Sequence, residues 1–298
     1  MNILICSDGT DPADNPNRLG GLFATACGAS VTMLGIAEQS ADDQSLRRAL
    51  QAEADDLRKL NLSPQVVIRA GDPVAGILQQ TSAVAYDLVV VGSRRKRSTG
   101  LHWRSERTYE VIKAIPPPVL IATGVRDSMK KLLVCTGGKR YIDNAVNLTG
   151  RLAVQLGASV TLLHVAAEPP ALYADLVLLE EDVGALLASG SELGRNLLRQ
   201  KEALEKLGVT TEVCVRHGLV VDQVFQEVSV GGHDLIVTGT SQARGTLRHY
   251  IMGDVTRSIV NRASCPVLVA RAGKEIDKPN GFWHSLKRLF AGSGNPTN

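Results

Sequence analysis

Asp234–Val269, DLIVTGTSQARGTLRHYIMGDVTRSIVNRASCPVLV, is the stretch that decides the fold. It opens with the apolar run Leu235–Thr238, halts at Gly239 and passes through a polar loop holding Gly245 and Gly253. Helical spacing follows at Val255, Ile259 and Val260, and after Pro266 a second β-rich run spans Val267–Ala270. Strand, glycine-bearing loop, helix, strand is the order of a βαβ unit. Glycines at a strand end let backbone N–H groups approach a phosphate, and the N-terminus of the next helix favours an anion.

The chain says this twice. Val66–Gly92 aligns without a gap on Val213–Gly239 at an offset of 147, with Val66, Arg69, Gly71, Val74, Gln79, Ser82, Asp87, Leu88, Val90 and Gly92 recurring as the same residue. PVLIA after Pro118 matches PVLVA after Pro266, NILICSDG from Asn2 matches KLLVCTGG from Lys131, and GASVTMLGIA from Gly28 matches GASVTLLHVA from Gly157. Four blocks in the same order amount to a tandem duplication.

A chain of 298 residues accommodates two such domains, each long enough to bury its own core. Hydrophobic residues at 44% and charged residues at 21% describe an ordinary globular composition, and a net charge of +3 is too small to point to nucleic acid or a membrane. Five cysteines, odd in number and without a CxxC pair, read as thiols in a reducing compartment rather than as disulfides or a zinc site. MNILICSDG lacks the basic region and long apolar stretch of a signal peptide, and no apolar run reaches the ~18 residues of a membrane span. These features predict a cytoplasmic protein.

Along the chain, strands are expected at Ile3–Cys6, Ser30–Ile36, Gln65–Arg69, Leu88–Val91 and Val119–Ala122. Helices are expected at Arg18–Cys27, Ala41–Leu60, Pro73–Ala83 and about Glu106–Ala114. Continuous Val/Ile/Leu runs suit strands covered on both faces, and strands alternating with helices predict a parallel sheet with right-handed crossovers. The expected domains are 1–124 and 129–272, joined by a short linker and followed by a polar stretch and amphipathic tail at 273–298. The second copy is enlarged between Val165 and Thr211, where ALYADLVLLEEDVGALLASG from Ala171 precedes a helix expected over Ser191–Leu207. In the tail, Phe282, Trp283, Leu286, Leu289 and Phe290 share one helical face, opposite His284, Lys287 and Arg288. Such a helix folds back on its own domain, docks on a protein partner or second subunit, or lies on a membrane surface, in that order of expectation.

Strand-Asp-Gly-Ser/Thr at the start, GAxVTLLHV in the second strand, a glycine pattern before the last helix and CPVLV at the end together resemble the universal stress protein family, over a tandem pair of about 270 residues. The resemblance implies two five-stranded parallel α/β domains of strand order 3-2-1-4-5, Rossmann-like and akin to the adenine nucleotide alpha hydrolases. It implies a pseudo-symmetric pair packed as a homodimer of the family would be. Many members bind ATP at the carboxyl ends of the strands, and others bind no nucleotide and work through dimerisation and partners. Residue by residue, the adenine-side aspartate matches Asp8, continued by Gly9 and Thr10, with Gly137 at that position in the second copy. The adenine-contacting end of strand two matches Ile36 and Val165.

The phosphate loop departs from the family. In the first copy Gly92 is in place, but Arg95 and Ser105 stand at the next glycine positions and Glu106 at the hydroxyl position. In the second, Gly239 with Thr240 and Gly253 match, the middle glycine reads Gln242 or Ala243, and Asp254 replaces the hydroxyl residue. Two like charges ~4 Å apart cost about 4 kcal/mol at an effective dielectric of 20, which offsets several hydrogen bonds to a phosphate. A cation such as magnesium bridging Asp254 or Glu106 to the phosphates would relieve this. Arg94–Arg97, with Arg104 and Arg107, forms a basic cluster that is a solvated loop, a side-chain cradle for phosphates or a contact for a polyanion. Thr136-Gly137-Gly138-Lys139 has the start of an ATP pyrophosphatase loop but lacks its following Asp-Ser, and no catalytic or metal-ligand constellation is present. The first expectation is a non-catalytic stress-response protein that binds ATP or another adenine nucleotide. The alternative is a nucleotide-independent interaction module using self-association, the enlarged second domain and the tail.

Overall fold

The computed structural model describes residues 1–9, 16–39, 43–92, 106–124, 127–138, 142–167, 183–242 and 250–271. The first domain runs β1 (Asn2–Cys6), α1 (Pro16–Cys27), β2 (Ser30–Ala37), α2 (Asp43–Lys59), β3 (Gln65–Ala70), α3 (Pro73–Ala83), β4 (Leu88–Gly92), α4 (Glu106–Ala114) and β5 (Val119–Ala122). The second runs β6 (Lys131–Cys135), α5 (Asp143–Leu156), β7 (Ser159–Ala166), α6 (Val183–Ala188), α7 (Glu192–Glu205), β8 (Thr211–His217) and α8 (Val220–Gly231). It continues with β9 (Leu235–Gln242), β10 (Tyr250–Ile251), α9 (Asp254–Arg262) and β11 (Val267–Arg271).

Within each domain the five main strands are parallel, and in the second the short β10 pairs antiparallel with β9. The first domain has the order β3-β2-β1-β4-β5 and the second β8-β7-β6-β9-β11, which is the expected 3-2-1-4-5 in both. The sheets are not separate. β5 pairs antiparallel with β11, Leu120 opposite Leu268, so all eleven strands belong to one sheet and β10 adds beside β9. Leu120 and Leu268 are fully buried; each contributes about 1.5–3 kcal/mol relative to exposure.

Because Leu120 and Leu268 are equivalent in the repeat, the pairing marks a pseudo-two-fold axis normal to the sheet. One apolar layer, with Leu19 and Phe23 of α1, Leu50 and Leu57 of α2, Leu152 of α5 and Leu204 of α7, spans both domains on one face. A second layer, with Ile77 of α3, Ile112 of α4, Val224 of α8 and Ile259 of α9, covers the other face. Near the axis, the Arg257 guanidinium lies 5.3 Å from the centre of the Tyr109 ring, joining α9 to α4. Arg271 donates from Nε to Pro117 O at 3.0 Å and from Nη2 to Ile115 O at 2.7 Å. At the equivalent place on the opposite side runs the linker, where Arg18 pairs with Asp127 and Met129 is buried in the first layer.

Local chemistry explains the element boundaries. Leu46, Leu50, Ala54 and Leu57 recur on one face of α2 and are all buried. Pro73 opens α3 behind Asp72, whose side chain accepts from Ala75 N at 2.9 Å, and Ser191 caps α7 by accepting from Gly194 N at 3.0 Å. The repeated aspartate before the fourth strand has the same task in both copies. Asp87 accepts from Asn2 N at 2.8 Å, and Asp234 accepts from Lys130 N at 2.7 Å, tying the fourth strand to the start of the first. The part of the enlargement at 168–182 lies outside the described residues, while α6 packs Leu186 on Leu197 and Val215.

Candidate functional site

In an open α/β sheet the usual ligand crevice lies beyond the carboxyl ends of the strands, where neighbouring connections leave in opposite directions. In the first domain that place is the end of β1, between β2 and β4. Register puts Cys6 beside Leu34 and Val91, and Ser7 N donates to Leu34 O at 3.0 Å. Asp8, Ile36 and Gly92 thus share the ends of three adjacent strands, Asp8 exposed and the other two partly exposed. In the second domain Gly137, Val165 and Gly239 occupy the same ends of β6, β7 and β9. Thr10 lies outside the described residues, as do Arg94–Arg97, Trp103 and Arg104.

The turn after β1 is built the same way in both copies. Gly9 has φ +71°, and a Cβ there would stand 2.6 Å from Ala49 Cβ on α2. Gly138, its counterpart, has φ +67° and faces Leu193 of α7. Gly9 N donates to Ser7 Oγ at 3.2 Å, and that hydroxyl donates to Glu53 Oε1 at 3.1 Å. In the second copy Gly138 N donates to Thr136 Oγ1 at 3.1 Å, and that hydroxyl donates to Gln200 Oε1 at 3.0 Å. Carboxyl and carboxamide therefore fill one design. Burial pushes the Glu53 carboxyl up, Ser7 and Asn17 pull it back by hydrogen bonding, and the nearby Asp8 charge pushes it up again. The second turn is held further by Asn196 Nδ2, which donates to Gly138 O at 2.9 Å, and by His164 Nδ1, 3.0 Å from Thr136 O. Sequence reading missed Glu53 and Gln200; applying the 147 offset to α2 and α7 would have paired them.

The surroundings of the fourth strand's carboxyl end differ between copies. Thr256 of α9 donates to Gly239 O at 3.0 Å and lies 2.9 Å from Thr238 Oγ1. Thr240 is buried, with its hydroxyl directed at Ala270 O at 3.4 Å. Gly253 is the exposed N-cap of α9, with open space where a Cβ would be, and Asp254 follows in the first turn. In the first copy Arg107, near the start of α4, makes an ion pair with Glu38 just past β2 at 2.5 Å. Its counterparts by repeat, Ala167 and Val255, are uncharged.

A second polar cluster lies between β8 and α8. Glu227 accepts from Arg216 Nε at 2.8 Å, and its other oxygen is 3.2 Å from His233 Nε2. Burial alone would raise the Glu227 carboxyl, but Arg216, and then His233, more than offset this and hold it below the ordinary range. At the same positions in the first copy Arg69 donates to Gln80 Oε1 at 2.8 Å, and Gln80 Nε2 donates to Tyr86 Oη at 2.8 Å. Burial pushes the Cys6 and Cys135 thiols up to about 12, which keeps both protonated and unreactive at neutral pH. Among the described residues no group of three or more His, Cys, Asp or Glu is placed to hold a metal, and no helix is long and apolar enough to cross a membrane.

The universal stress protein family model matches residues 1–123 and again 129–271. Universal stress protein Slr1230 of Synechocystis is 22% identical over 305 residues, spanning 91% of this chain and 99% of that protein. Universal stress protein MJ0531 of Methanocaldococcus jannaschii is 29% identical over 170 residues, spanning 49% of this chain and 99% of that protein. Among solved structures, a universal stress protein from Archaeoglobus fulgidus superposes with a TM-score of 0.68 at 18% identity, covering 91% of this chain and 98% of the other. The two matches of the family model, taken with the two-fold strand order and the paired turns after β1 and β6, place this chain in the universal stress protein family as a tandem member.

Proposed function

We propose that the chain is a non-catalytic stress-response protein whose first domain takes ATP or another adenine nucleotide at the ends of β2, β1 and β4. The observation that carries this reading is the convergence of Asp8, Ile36 and Gly92 at the switch point of the first sheet. Asp8 offers an exposed acceptor for the base or ribose, Ile36 a partly exposed apolar contact, and Gly92 a close backbone approach. The second domain is the weaker candidate. Gly137 replaces the acceptor, Thr256 holds the Gly239 carbonyl, and Thr240 is turned inward.

The test begins with protein purified without added nucleotide, denatured and filtered, and its small molecules identified by mass. Titration of ATP into the parent chain and Asp8→Ala follows. Loss of a hydrogen bond worth about 1–1.5 kcal/mol weakens binding roughly tenfold. Equal affinity for both chains refutes the assignment of Asp8.

A second reading, a nucleotide-independent interaction module, is favoured by one feature of the second domain. Leu219, Val220 and Val255 lie at its carboxyl edge with exposures of 75%, 37% and 41%, an apolar surface in keeping with a protein contact. No released nucleotide, and no heat on titrating ATP, would put this reading first.

A further inference from the structure

A groove of about 930 Å³ opens at the domain junction on the face that carries α1 and α5. Its floor includes Leu148 and Leu152 of α5, and its rim includes Met1, Val154 and Leu207, exposed by 38%, 45% and 44%. Arg151 and Arg271 supply positive charge along it. Exposed apolar side chains at Met1, Val154 and Leu207 thus alternate with polar ones along one concave wall, a lining suited to an amphipathic occupant.

The pseudo-two-fold identifies which chain segment belongs there. After β5 the linker crosses the amino ends of the second domain's strands toward β6, pairs Asp127 with Arg18 of α1 and buries Met129. The axis carries that path onto one leaving β11 at Arg271, passing the amino ends of β5, β4 and β1 and touching α5. The groove follows this second path: it is lined by Arg271, by Pro118 before β5, by Asp87 before β4 and by Met1, and Asn147 of α5 stands where Arg18 stands on α1.

We propose that residues 272–298 of this chain, which lie outside the described residues, seat in this groove within the same molecule, in the place that mirrors the linker. The sequence suits the path. The 27 residues leave from the groove's own edge at Arg271, and the acidic Glu275 and Asp277 among them complement the exposed Arg151 on the groove wall. Ile276, one residue before the mirror position of Met129, supplies an apolar side chain. The eleven residues from Arg271 to Phe282 reach up to about 35 Å when extended, more than the roughly 21 Å length of α5. Phe282, Trp283, Leu286, Leu289 and Phe290 thereby come within range of Val154 and Leu207.

The chain has two tryptophans, so a full-length Trp103→Phe variant reports Trp283 alone. Docking predicts blue-shifted Trp283 emission that resists iodide. Adding Val154→Glu and Leu207→Glu, both at exposed positions, then shifts it to the red and raises quenching several-fold. Emission typical of free indole in the parent, or unchanged emission in the groove variant, overturns the proposal. So does protection that disappears on dilution, which would assign the groove to a second copy. Should the groove variant fail to fold, a full-length chain with Phe282, Trp283 and Phe290 changed to Ser leaves the body intact. Hydrogen exchange over Asp143–Leu156 then accelerates if the tail covers α5, and unaltered exchange overturns the proposal.

Discussion

Replacing Gly9 by alanine tests whether the turn after β1 is held by the wall of α2 or only by local backbone preference. An L-residue at φ +71° costs about 1–2 kcal/mol. The new methyl would also lie 2.6 Å from Ala49 Cβ, well inside a normal carbon–carbon contact of about 3.5–4.0 Å. Ala49 has no rotamer to escape into, so α2 must back away by about 1 Å, and overpacking of this kind typically costs 1–3 kcal/mol. The expected loss is therefore about 2–5 kcal/mol. Gly28→Ala is the control: its φ is +56° and nothing lies within 4 Å of the added methyl, so only the backbone cost remains. Urea and thermal unfolding of the two variants should differ by about 1–3 kcal/mol, some 2–4 °C in Tm for each kcal/mol in a chain of this size. If Gly9→Ala is no worse than Gly28→Ala, α2 is not the rigid wall described here. Any effect of Gly9 on ligand affinity would then need another cause.

Two buried carboxyls give the domains opposite responses to pH. Glu53 is held protonated above the ordinary glutamate range, mainly by burial, so its contribution is full in acid and declines as pH rises through the raised value. Glu53→Gln keeps the amide form seen at Gln200, so it should gain stability relative to the parent from acid toward neutral pH; parallel profiles would refute this. Glu227 is held below the ordinary range, so its contribution is present at neutral pH and is lost as pH falls through the lowered value. Glu227→Gln should cost about 1–2 kcal/mol at neutral pH by exchanging charge-assisted hydrogen bonds for neutral ones, with the deficit shrinking in acid. A deficit independent of pH, followed by hydrogen exchange in α8, would show that packing and not charge is at stake.

The duplication made the fold legible, because residues such as Asp87 and Asp234 recur for a reason that sequence spacing preserves. Continuous apolar runs identified buried parallel strands, and the amphipathic period of α2 gave its buried face. The joining of β5 to β11 had a signal too: VLIA and VLVA carry no lysine or proline within the run, which an open edge would need against aggregation. The site was less legible. Within a run buried on both faces, nothing in the letters tells that Thr240 turns to Ala270 O rather than to the crevice. Glu53 and Gln200 sit on helices whose equivalence is hidden by the enlargement before α7, which changes the repeat offset from 129 to 147. Thr10, Arg94–Arg97 and Arg104 lie outside the described residues, and of the basic cluster only Arg107, paired with Glu38, is described.

The contact of Arg257 with Tyr109 has a consequence for how this molecule can change over generations. The two residues are counterparts, and a side chain that meets its own counterpart across the two-fold of a homodimer must meet a copy of itself. Such a dimer could place tyrosine against tyrosine or arginine against arginine, never a cation on a ring. Joining the copies in one chain releases every position from its twin. The same release lets one turn keep an acid at Glu53 while the other settles on Gln200.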